Sequence, residues 1–161
     1  MSKPDYPTTQ GVRFLRDKKI DFIPHLYDYQ EHGGTGRASL LLGVTEETVV
    51  KTLIMEKNTG QPFVVLMHGD REVSTKQLAR LLDCKSVAAC ETAKAERLTG
   101  YMVGGISPFG TRQKMPVYVE KTILDLPRIY INGGKRGFLV EVDPKAAQAA
   151  LGAVAVEVAI R

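Results

Sequence analysis

The chain has 161 residues, of which 43% are hydrophobic and 25% charged, and its net charge is +4. This length suits a single domain with a sizeable core, and no apolar run approaches the roughly 18 residues that span a bilayer. The chain begins MSKPDYPTTQ, without the apolar segment of a secretory signal. We therefore expect an intracellular, cytoplasmic protein that does not enter a membrane.

The cysteines and histidines predict neither redox chemistry nor a metal site. Cys84 and Cys90 have the spacing C-x5-C, which is neither a redox CxxC motif nor a zinc pair, so we expect free thiols. The histidines are His25, His32 and His68, and none of them lies in a metal-ligand motif with a cysteine or carboxylate. We expect no metal.

The positive charge is concentrated late in the chain. Between positions 112 and 136 there are two acidic residues, Glu120 and Asp125, and six basic ones: Arg112, Lys114, Lys121, Arg128, Lys135 and Arg136. Six minus two gives +4, the net charge of the whole chain. A local basic segment is typical of a surface that binds phosphate or RNA, and the alternative is an ordinary solvated face.

In chain order, the first half is predicted to begin with helices and an edge strand and to continue with a hairpin. The predicted elements are a helix capped by Thr8 or Thr9, an edge strand over 21–29 with Pro24 near its start, a helix over 37–42 that ends at Gly43, a turn of helix from Thr45, and strands over 49–56 and 62–68 joined by a turn at 58–60.

The second half is predicted to mix helices, strands and glycine-rich loops. The predicted elements are a helix opened by a Ser74–Gln77 capping box, a strand over 86–89, a helix over 92–98, strands over 101–103 and 116–119, strands over 128–131 and 137–142 around a hairpin tip at 132–136, a helix after Asp143 that ends at Gly152, and a last strand over 154–160. This mixture predicts one α/β or α+β domain with a mixed sheet.

The predicted strand VVKTLIME (49–56) contains a lysine although both of its faces are largely apolar. Such a pattern indicates burial on both sides. A lysine in that setting either extends to solvent at the edge of the sheet or lies in a pocket with a hydrogen-bond partner. The residues alone leave both interpretations of Lys51 open.

Two glycine-rich segments are candidates for ligand binding. Residues 104–110 (GGISPFG) follow a predicted strand and offer peptide N–H groups to an oxyanion or a carbonyl, although they form neither a Walker A loop nor a GxGxxG motif. Residues 132–137 (NGGKRG) combine two cations with three glycines and suit a phosphate. For each segment the alternative is an ordinary turn.

Together, the segments VVKTLIME, TGYMVGGISPFG and YINGGKRGFLVEV resemble the signature segments of the YbaK/ProX-type aminoacyl-tRNA deacylases, which also occur as the editing domain of bacterial prolyl-tRNA synthetases. The chain looks most similar to the YbaK branch, which hydrolyses cysteine mischarged onto proline tRNA. The resemblance implies one deacylase domain over 1–161, an α/β (α+β) fold with a mixed, partly barrel-like sheet flanked by helices, and no metal or cofactor.

The resemblance also implies roles for particular residues. Lys51 corresponds to the essential lysine of the aminoacyl pocket in this family. The residues implied to bind the substrate are Tyr27, Gly104, Gly105, Ile106, Ser107, Pro108, Asn132, Gly133 and Gly134. We expect Lys114, Lys135 and Arg136 to contact tRNA phosphates. The partner is then a mischarged tRNA, and the family suggests prolyl-tRNA synthetase as a second partner.

Two positions depart from the YbaK pattern. Asn132 stands where a serine usually precedes GGKRG, and Leu139 stands where a polar residue is frequent. Both changes bear on the amino-acid preference, so Ala-tRNA(Pro) is the alternative to Cys-tRNA(Pro).

Several functions of Lys51 remain open at this point. The three alternatives are an ammonium that fixes the ester, a group that positions the substrate for attack by its own thiol, and a neutral general base. A non-catalytic module that binds aminoacyl-tRNA or a nucleotide, and a Schiff-base enzyme, are the competing classes.

Overall fold

The computed structural model describes residues 5–161, which form five α-helices and ten β-strands. The helices are α1 (Gln10–Asp17), α2 (Gly34–Leu42), α3 (Thr75–Leu81), α4 (Thr92–Thr99) and α5 (Pro144–Leu151). The strands are β1 (Ile23–Leu26), β2 (Val49–Lys57), β3 (Pro62–His68), β4 (Glu72–Val73), β5 (Val87–Ala89), β6 (Val117–Glu120), β7 (Ile129–Lys135), β8 (Phe138–Val142), β9 (Val154–Val156) and β10 (Ala159–Ile160). Two 3-10 turns span Glu46–Thr48 and Lys121–Asp125.

The main sheet is mixed and has eight strands. Its order is β1-β8-β7-β2-β3-β6-β9, and β5 pairs with β2 beside this path. The pairs β2–β7, β3–β6 and β6–β9 are parallel, and the other pairs are antiparallel. The two short strands β4 and β10 pair separately. The predicted fold class, a mixed α/β domain with flanking helices, is confirmed.

None of the helices in residues 5–161 is long and apolar enough to cross a membrane.

The central strand β2 has one edge that divides between two partners. On its other edge β2 pairs with β3 from residue 50 to residue 56. On the divided edge, β7 pairs only with Val49 and Val50, and β5 pairs only with residues 55–57. Residues 51–54 therefore have no partner strand on this edge. We call this interval the fork.

Apolar side chains pack on both faces of the sheet, as the two apolar faces of β2 predict. Val50 and Ile54 face the largest core, which also takes in α1, α4 and α5. Met55 faces a second core under α3, and Val49 packs in a third cluster under α2. Lys51 and Leu53 lie on the same face as Val49 and Met55. They therefore occupy the stretch of sheet between the helices α2 and α3.

Most predicted elements with a clear local signal are confirmed. The Thr9 hydroxyl accepts a hydrogen bond from the Val12 N–H at the start of α1. The strand that carries Pro24 lies at the sheet edge, and both Gly43 and Gly152 end helices in the left-handed conformation. The capping box at Ser74 is only half formed, because its hydroxyl accepts from the Gln77 N–H while the Ser74 N–H donates to Val158.

Three predicted elements differ from the structure. Residues 101–103 form a turn rather than a strand, because the Gly105 N–H bonds back to the Met102 oxygen. The predicted tip at 132–136 lies mostly inside β7, which continues to Lys135 through an irregularity in its register with β8. The predicted last strand is divided into β9 and β10, because the buried Glu120 carboxylate accepts the N–H groups of Val158 and Ala159 and redirects the chain.

Candidate active site

A cavity of about 280 Å3 lies at the fork of β2. Its walls come from β2, the start of α2, the turn that follows α4, and the strands β7 and β8. We call it the fork cavity. It is lined by Tyr27, Gly34, Thr35, Ala38, Val49, Val50, Lys51, Thr52, Leu53, Val103, Gly104, Ile106, Asn132 and Leu139. The cavity therefore brings together residues from all three segments that the sequence singled out.

Lys51 lines this cavity, and its side chain does not extend freely into solvent. Its side chain is 21% exposed, and its Nζ atom donates a hydrogen bond of 2.5 Å to the main-chain oxygen of Arg71. The carboxylate oxygen Oε1 of Glu72 lies 3.7 Å from the same Nζ atom. The amine therefore has an oxygen partner in the protein, although neither Arg71 nor Glu72 belongs to the cavity lining.

Tyr27 also lines the fork cavity and packs against the cluster that contains Val49. Its main-chain N–H donates to the Gly137 oxygen at 2.9 Å, which fixes the end of β1 against the β7–β8 turn. Burial is the main cause that raises the pKa of the Tyr27 hydroxyl above its ordinary value, and the neighbouring Tyr29 adds to it. The Tyr27 hydroxyl therefore stays protonated at neutral pH and is available as a hydrogen-bond donor.

Only part of the GGISPFG segment lines the fork cavity. Gly104 and Ile106 line it, whereas Gly105, Ser107 and Pro108 are buried against the rest of the protein. A Cβ atom on Gly105 would lie 2.7 Å from the Arg136 main-chain nitrogen, so this glycine packs against the β7–β8 turn. The Ser107 hydroxyl accepts from the Phe109 N–H at 3.1 Å. These three residues hold the loop in shape and do not face the cavity.

Gly104 has a backbone conformation that requires glycine. Its φ angle is +93°, and a Cβ atom at this position would collide with the Tyr29 hydroxyl. The loop is held from its other side by Tyr101, whose hydroxyl donates to the Phe109 oxygen at 2.5 Å. Burial raises the pKa of Tyr101 to about 12, so this donor is retained at neutral pH. The loop is therefore fixed at both ends of its cavity-lining part.

Asn132 links the two glycine-rich segments. Its Oδ1 atom accepts the N–H groups of Gly134 at 2.6 Å and Lys135 at 3.1 Å, and its Nδ2 atom donates to the Gly104 oxygen at 3.3 Å. Gly133 and Gly134 do not line the cavity. A Cβ atom on Gly133 would lie 2.5 Å from the Phe138 ring, so Gly133 allows β7 and β8 to approach closely.

A second cavity, also of about 280 Å3, adjoins the fork cavity. The two share Tyr27, Gly34, Val103 and Gly104 in their walls. The second cavity is completed by Tyr29, Gln30, Glu31, His32, Arg37 and Arg136. We call it the arginine cavity. The adjoining walls suit a ligand with two parts, one in each cavity.

Two arginines border the arginine cavity from different parts of the chain. The Arg136 guanidinium carbon lies 5.4 Å from the centre of the Tyr29 ring, and its Nε atom donates to the Val103 oxygen at 2.9 Å. The Nε atom of Arg37 donates a hydrogen bond of 2.9 Å to the main-chain oxygen of Asp28. A tyrosine ring beside a guanidinium plane is a surface on which nucleobases stack. Lys114 and Lys135 are exposed and line neither cavity.

Sequence reasoning did not identify Arg37 and Tyr29. Tyr29 belongs to the HLYDY segment from which only Tyr27 was selected, so its aromatic character was an available signal. Arg37 had no signal of its own, because it lies at the start of a helix whose sequence contains no binding motif.

His68 lies outside both cavities and is bonded within the protein. Its ring nitrogens lie 2.9 Å from the main-chain oxygen of Glu47 and 2.7 Å from the Thr122 hydroxyl. Across residues 5–161, no three or more His, Cys, Asp or Glu side chains are grouped so as to hold a metal ion.

Residues 36–150 match the family of the aminoacyl-tRNA editing domain, and the chain belongs to this family. The chain is 28% identical over 139 residues to EbsC of Enterococcus faecalis, provisionally named as a Cys-tRNA(Pro)/Cys-tRNA(Cys) deacylase, and the match covers 86% of this chain and 85% of that protein. It is also 32% identical over 104 residues to the proline–tRNA ligase of Moorella thermoacetica, over 64% of this chain and 18% of the ligase. The family resemblance read from the three segments is thereby confirmed.

Solved structures support the same fold. The hypothetical protein APE2540 is similar over 94% of this chain and all of that chain, with a TM-score of 0.86 and 25% identity. A protein provisionally described as a trans-editing enzyme for prolyl tRNA synthetase is similar over 97% of this chain and all of its own, with a TM-score of 0.83 and 20% identity. Membership of the editing family implies that this protein binds tRNA.

Proposed function

We propose that this protein is a deacylase that acts in trans on mischarged aminoacyl-tRNA, with Cys-tRNA(Pro) as its preferred substrate. The observation that carries the proposal is the position of Lys51 in a small cavity that adjoins a second, arginine-lined cavity. An aminoacyl-tRNA ends in an amino acid esterified to a terminal adenosine, so its end has the two parts that these cavities suit. The reaction belongs to the cytoplasm, where charged tRNA is used.

The amino acid occupies the fork cavity in this proposal. A volume of about 280 Å3 lies just below the usual range of ligand sites, roughly 300–1,000 Å3, which favours a small amino acid. The apolar side chains of Val49, Leu53 and Leu139 form much of the wall. Such a wall suits the side chain of cysteine or alanine, so Ala-tRNA(Pro) is the alternative substrate.

The terminal adenosine occupies the arginine cavity. Its base stacks beside Tyr29 and Arg136, and its phosphate pairs with a guanidinium. Lys114 and Lys135 lie outside both cavities and contact phosphates further along the tRNA. One small domain reads little of a tRNA, so prolyl-tRNA synthetase is the partner proposed for selection of the tRNA.

Lys51 acts as an ammonium that orients the ester. Its Nζ atom already lies among oxygen acceptors, the Arg71 carbonyl and the Glu72 carboxylate, and a substrate oxygen replaces one of them on binding. The carbonyl end of the substrate lies against Gly104 and Ile106, and Tyr27 also contacts the substrate. Positioning of the ester against water, or against the substrate's own thiol, then accounts for the rate. Neither route requires a cofactor or metal.

The test is a time course of deacylation with Cys-tRNA(Pro), Ala-tRNA(Pro) and Pro-tRNA(Pro). Rapid loss of cysteine supports the proposal, and preferential loss of alanine selects the alternative substrate. Binding of the tRNA without turnover identifies a non-catalytic binding module. Borohydride trapping of a carbonyl compound on Lys51 identifies Schiff-base chemistry instead.

A further inference from the structure

The main chain of Thr52 is unpaired on the edge of β2 that faces the fork cavity. In a strand, successive residues direct their N–H and C=O groups to opposite edges. The Cys90 N–H donates to the main-chain oxygen of Ile54. The main-chain N–H and C=O groups of the even-numbered residues of β2 are therefore directed to the divided edge. The partners on this edge stop at Val50 and resume at Met55, so no strand pairs with Thr52 there.

The side chain of Thr52 also lacks a partner. In residues 5–161, its Oγ1 atom is the buried side-chain polar atom that makes no hydrogen bond. Burial of such an atom costs free energy, because it gives up its hydrogen bonds to water and forms none within the protein. Thr52 belongs to the wall of the fork cavity, between Lys51 and Leu53. Thr52, a residue of the cavity wall, thus has a buried hydroxyl without a partner and a main-chain N–H that no strand pairs on this edge.

Resting on the deacylase function proposed above, we infer that Thr52 binds the carbonyl oxygen of the scissile ester. Its hydroxyl and its main-chain N–H are two donors attached to a central strand, so their positions are fixed before the substrate arrives. In hydrolysis, water adds to the ester carbon, the bond from that carbon to the ribose oxygen breaks, and the ribose oxygen takes the proton. The carbonyl oxygen gains negative charge in between, and donors fixed near that oxygen stabilise it.

This inference gives Thr52 a role distinct from that of Lys51. Lys51 holds the substrate through charge from one face of β2, whereas Thr52 donates to the reacting carbonyl from the edge and the other face. The hydroxyl that is unfavourable in the free protein gains its partner only when the ester binds.

The test uses two variants of similar shape. Thr52→Val replaces the hydroxyl by a methyl group, and Thr52→Ser keeps the hydroxyl. We expect Thr52→Val to lower the single-turnover deacylation rate at least about tenfold while its melting temperature stays equal to or above that of the wild type. Thr52→Ser should keep most of the rate. A purely structural role would instead lower the melting temperature of Thr52→Val together with its activity.

Two results would overturn the inference. One is a wild-type rate for Thr52→Val, and the other is an equal loss of rate in both variants. Binding of 3′-(alanylamino)-3′-deoxyadenosine, an amide that resists hydrolysis, separates this inference from the deacylase proposal. If the wild type binds the amide but hydrolyses no ester, the deacylase proposal fails, and weaker binding by Thr52→Val still supports the contact. If neither binding nor hydrolysis occurs, both fail.

Discussion

The side chain of Asn132 joins the two glycine-rich segments, because its Nδ2 atom donates a hydrogen bond of 3.3 Å to the main-chain oxygen of Gly104. The same side chain accepts two N–H groups of its own strand through Oδ1. One residue therefore shapes the irregular part of β7 and also fixes the loop that lines the fork cavity.

The two functions of Asn132 can be separated by substitution. Asn132→Asp keeps an oxygen acceptor for Gly134 and Lys135 but loses the donor to Gly104. We expect a melting temperature closer to that of the wild type than Asn132→Ala gives, and slower deacylation, because the loop is no longer held. The hydrogen bond itself contributes about 1 kcal/mol. Thermal melting and single-turnover rates measure the two effects, and full activity of Asn132→Asp would exclude a functional link to Gly104.

Gly104 should tolerate no side chain. Gly104→Ala introduces a Cβ atom that collides with the Tyr29 hydroxyl at a φ angle of +93°. We expect loss of deacylation and a destabilisation of more than about 1 kcal/mol. Gly152→Ala is the matched control, because Gly152 also has a positive φ of 63° but has open space around it. That variant should lose stability and keep its activity, as measured by thermal melting and deacylation assays.

Arg136 should contribute to substrate binding more than to the chemical step. Arg136→Ala removes the guanidinium beside Tyr29, so we expect KM to rise about tenfold with little change in kcat. The slope of the logarithm of tRNA affinity against the logarithm of salt concentration should also become shallower by about one. Arg16→Ala is the control, because Arg16 lies 5.9 Å from the Tyr6 ring and lines neither cavity. An equal effect of both substitutions would contradict a specific role for the arginine cavity.

Glu141 should make stability depend on acid pH. Burial acts to raise the pKa of Glu141, but hydrogen bonds from His25 and Arg128 outweigh it and hold the pKa below its ordinary value. A lowered pKa means that the ionised form stabilises the fold above the unfolded pKa and that this contribution is lost as pH falls through the folded pKa. We expect Glu141→Gln to cost about 1 kcal/mol at pH 7 and much less near pH 3. Urea unfolding at both pH values measures this, and a constant difference would contradict the assignment.

Local sequence signals were enough to predict most helices and strands. Thr9, Gly43 and Asp143 carry capping chemistry that acts within a few residues, so they identify helix ends without knowledge of the fold. The strand predicted at 101–103 was wrong because β-forming residues there are overridden by the turn bond to Met102 and by the anchored Tyr101 hydroxyl. A single strand was predicted over 154–160 because no local signal shows that the Glu120 carboxylate, which lies far away in sequence, bonds to the main chain there and divides the strand.

The candidate site was predictable as a set of segments but not as a geometry. Lys51, Tyr27, Gly104, Ile106 and Asn132 were selected from the sequence and do meet at one cavity. The fork that opens this cavity depends on β7 and β5 pairing with different ends of β2, which is a tertiary property. For that reason the sequence predicted neither the free edge at Thr52 nor the arginine cavity beside it.

The central claim is that Lys51 in the fork cavity is essential for removal of an amino acid from tRNA. The most direct measurement compares single-turnover deacylation of Cys-tRNA(Pro) by the wild type, by Lys51→Ala and by Lys57→Ala, a control on the same strand outside the cavity. We expect rapid hydrolysis by the wild type and by Lys57→Ala, and loss of at least about a hundredfold for Lys51→Ala with its melting temperature retained. Full activity of a folded Lys51→Ala would contradict the account.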